Sequence, residues 1–114
     1  MTMARTEQWQ RGRILQVLKD NGALGAAMSF GLLLRTLDTL GIGLSARDLG
    51  AKLDYLDGKN YLGVRRRKDM PGYDRERGRV GGGRPNDIIA VKLTPKGQDL
   101  VDGNIDQDPG IDFE

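Results

Sequence analysis

The apolar pattern of this chain changes after Asn60, and that change limits the folds available to it. Before Asn60, apolar residues recur every three or four positions, which is typical of amphipathic helices that bury one face. After it, residues 61–67 and 87–93 indicate two short β-strands, the second rich in β-branched residues. The glycine-containing polar stretch between them is too long for a tight hairpin turn. Helices followed by a pair of strands predict a small α+β domain.

Two helices are predicted in the first forty residues. The first covers residues 6–21 and has Thr6 as its N-cap candidate. The second covers residues 30–40 and follows the cap candidate Ser29, after a connector of small residues over 23–28. Their apolar stripes are Trp9, Ile14, Leu15, Val17 and Leu18 in the first helix, and Phe30, Leu33, Leu34, Leu37 and Leu40 in the second.

A third helix is predicted to begin directly after Ser45 and to end at Gly58. Asp48 stands at its third position, where a carboxylate can reach back to the cap. The spacing of its leucines predicts one buried stripe and leaves the polar residues on other faces. The stripe is Leu49, Leu53 and Leu56, and the residues on other faces are Arg47, Lys52, Asp54 and Tyr55.

The end of the chain predicts a short helix followed by an acidic tail. Thr94 is the cap candidate and Pro95 suits the first helical position. Beyond it, residues 104–114 are acidic and are expected to form a loose tail. A chain of 114 residues has room for one domain, so we assign that domain to residues 1–103.

Charge is distributed unevenly along the chain, although its net value is only +2. Residues 61–86 carry eight Lys or Arg against three acids, whereas residues 99–114 carry six acids and no base. Several arginines in a glycine-rich loop predict contact with a polyanion such as nucleic acid. The alternative is a solvated loop whose charge serves solubility or pairs with the acidic tail. Residues 69–84 and 104–114 are expected to be the most mobile parts.

The composition excludes several kinds of active site. Histidine and cysteine are absent, which excludes disulfides, thiolate or imidazole zinc sites and Cys or His nucleophiles. No nucleophile, base and orienting group can be named together, so we expect no enzyme activity, cofactor, metal or small-molecule ligand. Residues 41–46 formally match the G-x-G-x-x-A dinucleotide fingerprint, but that motif requires a preceding strand. Between two predicted helices it indicates a helix end and a cap.

Nothing in the sequence indicates a membrane or secretory segment. The longest apolar-leaning stretch, residues 23–34, is too short to span a bilayer. The first twenty residues are polar and charged, unlike a secretory signal. Because the absence of cysteine also suits a reducing compartment, we expect a cytoplasmic protein.

The order of elements and two segments resemble bacterial winged-helix regulators. Residues 30–67, FGLLLRTLDTLGIGLSARDLGAKLDYLDGKNYLGVRRR, are similar to their helix–turn–helix–strand segment. Residues 91–103, VKLTPKGQDLVDG, resemble the end of the wing and the start of the last helix, where L-T-x-x-G-x-x-L recurs. The chain most resembles small winged-helix proteins of Mu-like phages and prophages, over residues 8–103. Its Arg-rich segment 65–86 departs from their common short wing.

The resemblance implies a winged helix: a three-helix helix-turn-helix core, a two-stranded β wing and a short C-terminal helix. It implies binding of double-stranded DNA, with the third helix in the major groove and the wing on the backbone or minor groove. Carried over by position, the candidates are Ser45, Arg47, Asp48, Lys52 and Tyr55 on the third helix, and Arg65, Arg66, Arg67, Lys68, Arg75, Arg77, Arg79 and Arg84 on the wing.

Two functions remain open at this stage. The first is a phage- or prophage-type transcriptional regulator that binds DNA, for which the first helix and the tail are the surfaces available to form a homodimer. The second is a winged helix that binds other proteins in a phage assembly or host-takeover complex. Asp48, Asp54 and Asp57 favour the second, because carboxylates on the third helix repel phosphate.

Overall fold

The computed structural model describes residues 2–22, 26–69 and 86–113, with only the backbone for residues 2–4. These residues form four α-helices and a three-stranded antiparallel sheet, so the α+β prediction is confirmed. The helices are α1 (Thr2–Asp20), α2 (Phe30–Thr39), α3 (Ala46–Gly58) and α4 (Pro95–Asp102). The strands are β1 (Met28–Ser29), β2 (Leu62–Arg66) and β3 (Ile88–Leu93). A 3-10 turn, Arg67–Asp69, follows β2.

Three of the four helices begin directly after the residues predicted to cap them. In each case a hydroxyl oxygen accepts a bond from a backbone N–H that no helical carbonyl can satisfy. The bonds are Leu32 N to Ser29 Oγ (3.2 Å), Asp48 N to Ser45 Oγ (3.1 Å) and Gly97 N to Thr94 Oγ1 (3.0 Å). The first helix differs, because α1 begins at Thr2 and the expected cap Thr6 lies inside it.

The sheet contains one strand that the sequence pattern did not predict. The two predicted strands pair antiparallel, from Leu62 opposite Leu93 to Arg66 opposite Ile88. The other edge of β3 pairs with β1, which lies within the expected connector and places Met28 opposite Val91. A strand of two residues has no periodicity of its own, so only its pairing with β3 defines it.

The core forms where one face of the sheet meets the apolar stripes of the helices. All three leucines of the α3 stripe are fully buried, as are Leu33 and Leu37 of α2. Leu40 was expected to extend the α2 stripe, but it is 59% exposed. The helix ends at Thr39, and Gly41, with a φ of +83°, turns the chain so that Ile42 enters the core in its place.

Lys52 also departs from its expected position. It was predicted on a polar face of α3, yet it is only 6% exposed. Its ammonium donates to Glu7 Oε2 of α1 at 2.7 Å. The long aliphatic stem of a lysine allows this, because it packs among apolar neighbours while the charge meets a carboxylate. Lys52 therefore ties α3 to α1 and faces away from solvent.

The end of the stretch 104–114, which was expected to be a loose tail, packs against the domain. Residues 108–113, called here the C-terminal segment, pack on α1 and on the junction of α3 and β2. Ile111 is buried and Phe113 contacts the core. Asp112 N donates to the carbonyl of Gln8 at 3.0 Å, and the carbonyl of Asp112 passes so close to Gly12 that a Cβ there would overlap it. Two apolar side chains of this segment, Ile111 and Phe113, attach it to the domain, and the acidic composition gave no indication of this.

Arginines of α1 hold the same segment from the helix side. Arg11 Nη1 donates to the carbonyl of Gly110 at 3.1 Å, and Arg13 Nη2 donates to that of Phe113 at 2.5 Å. The segment thus covers part of the α1 surface that was expected to serve a homodimer. Whether the protein dimerises stays a prediction.

Candidate nucleic-acid interface

An open groove of about 870 Å³ lies between α3 and the paired ends of β2 and β3. We call it the α3 groove. Its helix wall is Ala46, Arg47, Gly50, Ala51 and Asp54. Its strand wall is Arg66, Arg67, Asn86, Asp87 and Ile88. Phe30, the first residue of α2, also lines the groove.

The helix wall consists of three small residues, the cation Arg47 and the carboxylate Asp54. Arg47, Ala51 and Asp54 follow one another at i, i+4 and i+7, so they form one stripe. Gly50 lies beside this stripe and lines the same groove. The leucines of α3 occupy the opposite side and fix the helix against the core. A partner could therefore approach the backbone of α3 closely beside the guanidinium of Arg47.

The strand wall owes its geometry to an irregularity in the pairing of β2 with β3. Arg65 lies opposite Ala90 but Arg66 lies opposite Ile88, so the register skips Ile89. Such a bulge re-aims the side chains around it. Arg66 points to the helix, where its Nη2 donates to Asp54 Oδ1. Its Nη1 donates to the carbonyl of Asn86 at 2.8 Å.

The charges in the groove are largely compensated. Arg66 forms an ion pair with Asp54. Arg67 Nε lies 3.9 Å from Asp87 Oδ2, and Arg67 N donates to the carbonyl of Asp87 at 2.8 Å. Three arginines against two carboxylates leave a net charge of +1. Arg47 is exposed, and within residues 2–22, 26–69 and 86–113 it has no ion pair.

The structure brings together some of the residues predicted from sequence. Arg47, Arg66 and Arg67 line one groove, and Ser45 caps the helix that forms its wall. Lys68 is exposed in the turn just beyond β2. The predicted wing residues Arg75, Arg77, Arg79 and Arg84 lie outside the described residues, as does most of the expected mobile stretch 69–84.

Other predicted residues are placed elsewhere. Arg65 is exposed on the opposite face of the sheet from Arg66, and Lys52 is buried against α1. The ring of Tyr55 packs under Arg11, whose guanidinium carbon is 3.8 Å from the ring centroid. Lys59 stands 5.6 Å from the same ring. Tyr55 therefore belongs to the contact between α3, α1 and the C-terminal segment, and it does not line the groove.

Sequence reasoning missed the residues that hold the groove arginines. Asp54 was noted only as a repulsive charge, and neither the Asn86 carbonyl nor the Asp87 carboxylate was considered as a partner. The antiparallel pairing of 61–67 with 87–93, which was predicted, places residues 86–87 beside 66–67. That register is the signal that could have found the Arg67–Asp87 pair in advance.

A second cluster of polar groups lies away from the groove, where the C-terminal segment meets the start of β2. The Tyr61 hydroxyl donates to Asp108 Oδ2 at 2.8 Å, and Gly110 N donates to Asp108 Oδ1 at 2.8 Å. Burial, together with the bond to Asp108, raises the pKa of Tyr61 to about 12. Burial opposes ionisation of Asp108, but bonds from Gly110 and Tyr61 and the charge of Lys59 outweigh it and lower its pKa.

The same described residues contain no helix that is long and apolar enough to cross a membrane. Nor do they hold a group of three or more acidic side chains placed to bind a metal ion. Comparison with protein-family models, curated proteins and solved structures found no match to this chain.

Proposed function

We propose that this protein is a winged-helix protein that binds double-stranded DNA through the α3 groove, as a phage-type transcriptional regulator would. The observation that carries the proposal is the convergence of three arginines with the small-residue wall of α3 in one open groove. In this interpretation α3 enters the major groove, and the ends of β2 and β3 approach the phosphate backbone.

The topology supports the fold part of the proposal. The elements follow the order α1, β1, α2, α3, β2 and β3, and the sheet has the order β1-β3-β2. A helix-turn-helix formed by α2 and α3, followed by a strand pair joined by a long connection, is the layout of a winged helix. The third strand β1, which the sequence pattern missed, completes a small sheet beside the three helices.

The groove chemistry suggests how the work is divided. Arg47 carries no described ion pair, so its guanidinium is free to bond a guanine edge or a phosphate. Arg66 and Arg67 are held by carboxylates, and each must exchange Asp54 or Asp87 for a phosphate oxygen. This exchange costs some affinity but orients both guanidiniums before DNA arrives. The arginines of residues 75–84 would add further backbone contacts.

A second candidate function rests on the same ion pairs. Because Asp54 and Asp87 already compensate two of the three arginines, the groove has a net charge of only +1. A mixed-charge groove beside small residues also suits a protein partner with its own acid and base. This is the protein-interaction module considered from the sequence.

A salt titration of DNA binding distinguishes the two functions. The affinity of the intact protein for duplex DNA should fall with salt by about 0.9 log units per tenfold change for each phosphate neutralised. Replacing Arg47 and Arg66 by Ala should flatten that slope by up to about 1.8. The matched control replaces Arg5 and Arg35, two exposed arginines of α1 and α2 that lie outside the groove, and should leave the slope unchanged.

The wing is tested separately in the same assay. Replacing Arg75, Arg77 and Arg79 by Ala should flatten the slope by up to roughly 3 and weaken binding to all sequences alike. Folded protein that binds no duplex at low salt would refute DNA binding and leave the protein-interaction function in first place. Slopes unaffected by either set of substitutions would show that DNA binds elsewhere.

A further inference from the structure

The sheet has a second face, opposite to the one that packs in the core. Side chains alternate along each strand, so Leu62, Val91 and Leu93 are buried on the inner face. The residues between them point the other way. This outer sheet face consists of Ser29, Gly63, Arg65, Ala90 and Lys92.

Two cations stand on the outer sheet face without a counter-charge. Arg65 and Lys92 are both exposed, and each is diagonal to the other across β2 and β3, because Arg65 pairs with Ala90 and Lys92 with Gly63. Such diagonal positions lie about 7–8 Å apart. Neither side chain has an ion pair among the described residues, and no strand residue of this face is acidic.

This arrangement is not explained by folding stability. Like charges on neighbouring strands repel, so the pair weakens the sheet slightly. The other three residues of the face are Ser29, Gly63 and Ala90, which are too small to cover the two cations. Among the described residues of this face, the two charged side chains are therefore the long ones, and both are exposed.

The outer sheet face and the α3 groove point in different directions. Arg65 and Arg66 are consecutive in β2, yet Arg66 bonds Asp54 of α3 while Arg65 lies on the outer face. A duplex seated in the α3 groove is thus on the other side of the sheet from Arg65 and Lys92. The two surfaces would therefore engage different segments of duplex.

We propose that the outer sheet face is a second phosphate-binding surface, through which a single protein molecule holds a second segment of duplex DNA. The proposal rests on the proposed function, since the first duplex occupies the α3 groove. Its basis is charge complementarity: two exposed cations on one sheet face, with no ion pair to any residue that the structure describes, match neighbouring phosphates of a DNA backbone. With only two such contacts, this second attachment is weak, non-specific and sensitive to salt.

The test is capture of one duplex by another. A duplex is fixed to beads, the full-length protein is added, and retention of a second, fluorescent duplex is measured at low salt. In parallel, the Kd for a single duplex is measured in solution, and the mass of the protein is determined by light scattering. The test variant is R65A/K92A, and the matched control is R5A/R35A, which removes two exposed cations from helices.

The wild-type protein should retain the second duplex, and R65A/K92A should lose most of it, by about tenfold at low salt, in line with the loss of two phosphate contacts. Its single-duplex Kd and its unfolding midpoint should stay close to those of the wild type, and the control should behave as the wild type. Since like charges repel, removing them should not destabilise the fold.

Three results would overturn the proposal while leaving DNA binding in the groove intact. Wild-type protein could bind one duplex and retain no second one. R65A/K92A could retain the second duplex fully, as a dimer with two α3 grooves would. The variant could lose single-duplex affinity in the same proportion, which would make the outer sheet face part of the first interface. Failure to bind any duplex would instead refute the proposed function, and this inference with it.

Discussion

The docking of the C-terminal segment gives the sharpest prediction about stability. Asp108 is only 9% exposed and accepts two bonds of 2.8 Å, from Tyr61 and Gly110, besides the charge of Lys59 at 3.4 Å. Hydrogen bonds to a charged group contribute about 1.5–3 kcal/mol each, and removing one partner leaves the other buried and unsatisfied. The half-exposed Lys59 adds little. We therefore expect Asp108→Ala to lower the free energy of unfolding by about 2–4 kcal/mol.

The thermal shift follows from chain length. For 114 residues, an unfolding entropy of about 2.1 cal/mol/K per residue makes 1 kcal/mol equivalent to roughly 4 °C in Tm. Asp108→Ala should then lower Tm by about 8–16 °C. Tyr61→Phe removes the bond to Asp108 and should lower the free energy of unfolding by about 1–2 kcal/mol. The double-mutant cycle of Tyr61→Phe with Asp108→Ala should give a coupling energy of similar size.

The assay is thermal and urea unfolding followed by circular dichroism. The control is Asp106→Ala, which removes an exposed carboxylate of the same stretch that has no described partner, and should change stability by less than about 0.5 kcal/mol. Because the pKa of Asp108 is lowered in the folded protein, its contribution is complete well above the ordinary value of 3.8 and is lost as pH falls through the folded value. Equal stability of the Asp108 and Asp106 variants at neutral pH would refute the docked segment.

Three further predictions concern the groove, the fit of α4 and alkaline pH. Asp54→Asn releases Arg66 and removes a charge that repels phosphate, so duplex affinity should rise, while the salt slope should stay close to that of the wild type because Arg66 contacts the same phosphate; weaker binding in a fluorescence titration would contradict the exchange described for the groove. Gly97→Ala should lower the free energy of unfolding by about 1–3 kcal/mol, measured by urea unfolding, because a Cβ there would overlap the backbone carbonyl of Tyr61. An unchanged unfolding midpoint would show that α4 can shift to accept the Cβ. Because the pKa of Tyr61 is raised from 10 to about 12 in the folded protein, the contribution of this residue to stability is complete below pH 10. It is lost as the pH rises towards about 12. Tyr61→Phe should weaken this alkaline loss in a pH series of unfolding midpoints, and an identical series would argue against the bond to Asp108.

Local chemistry in the sequence determined much of the framework. Ser29, Ser45 and Thr94 cap helices because each has a short hydroxyl side chain that reaches an unsatisfied N–H nearby. The α3 leucine stripe and the existence of the two strands β2 and β3 likewise follow from residues close in the chain. Caps, stripes and single strands span few residues, so a pattern along the sequence is sufficient to predict them.

The tertiary structure decided the features that join distant segments. Lys52 becomes buried only because Glu7, far away in the sequence, supplies a carboxylate for it. The C-terminal segment was predicted to be loose from its acidity, yet a single buried carboxylate, Asp108, finds its partner at Tyr61. Composition averages over a stretch, whereas docking depends on individual side chains and what they meet.

The candidate site shows the same division. The sequence predicted Arg47, Arg66 and Arg67 as candidate contacts for a polyanion, because charge is visible in any order of residues. Only the packing of α3 against β2 and β3 decided that these three line one groove, that carboxylates hold two of them, and that Arg65 faces the other way. Side-chain direction depends on register and on a bulge at Ile89, and both are set by strand pairing between segments separated by about twenty residues of chain.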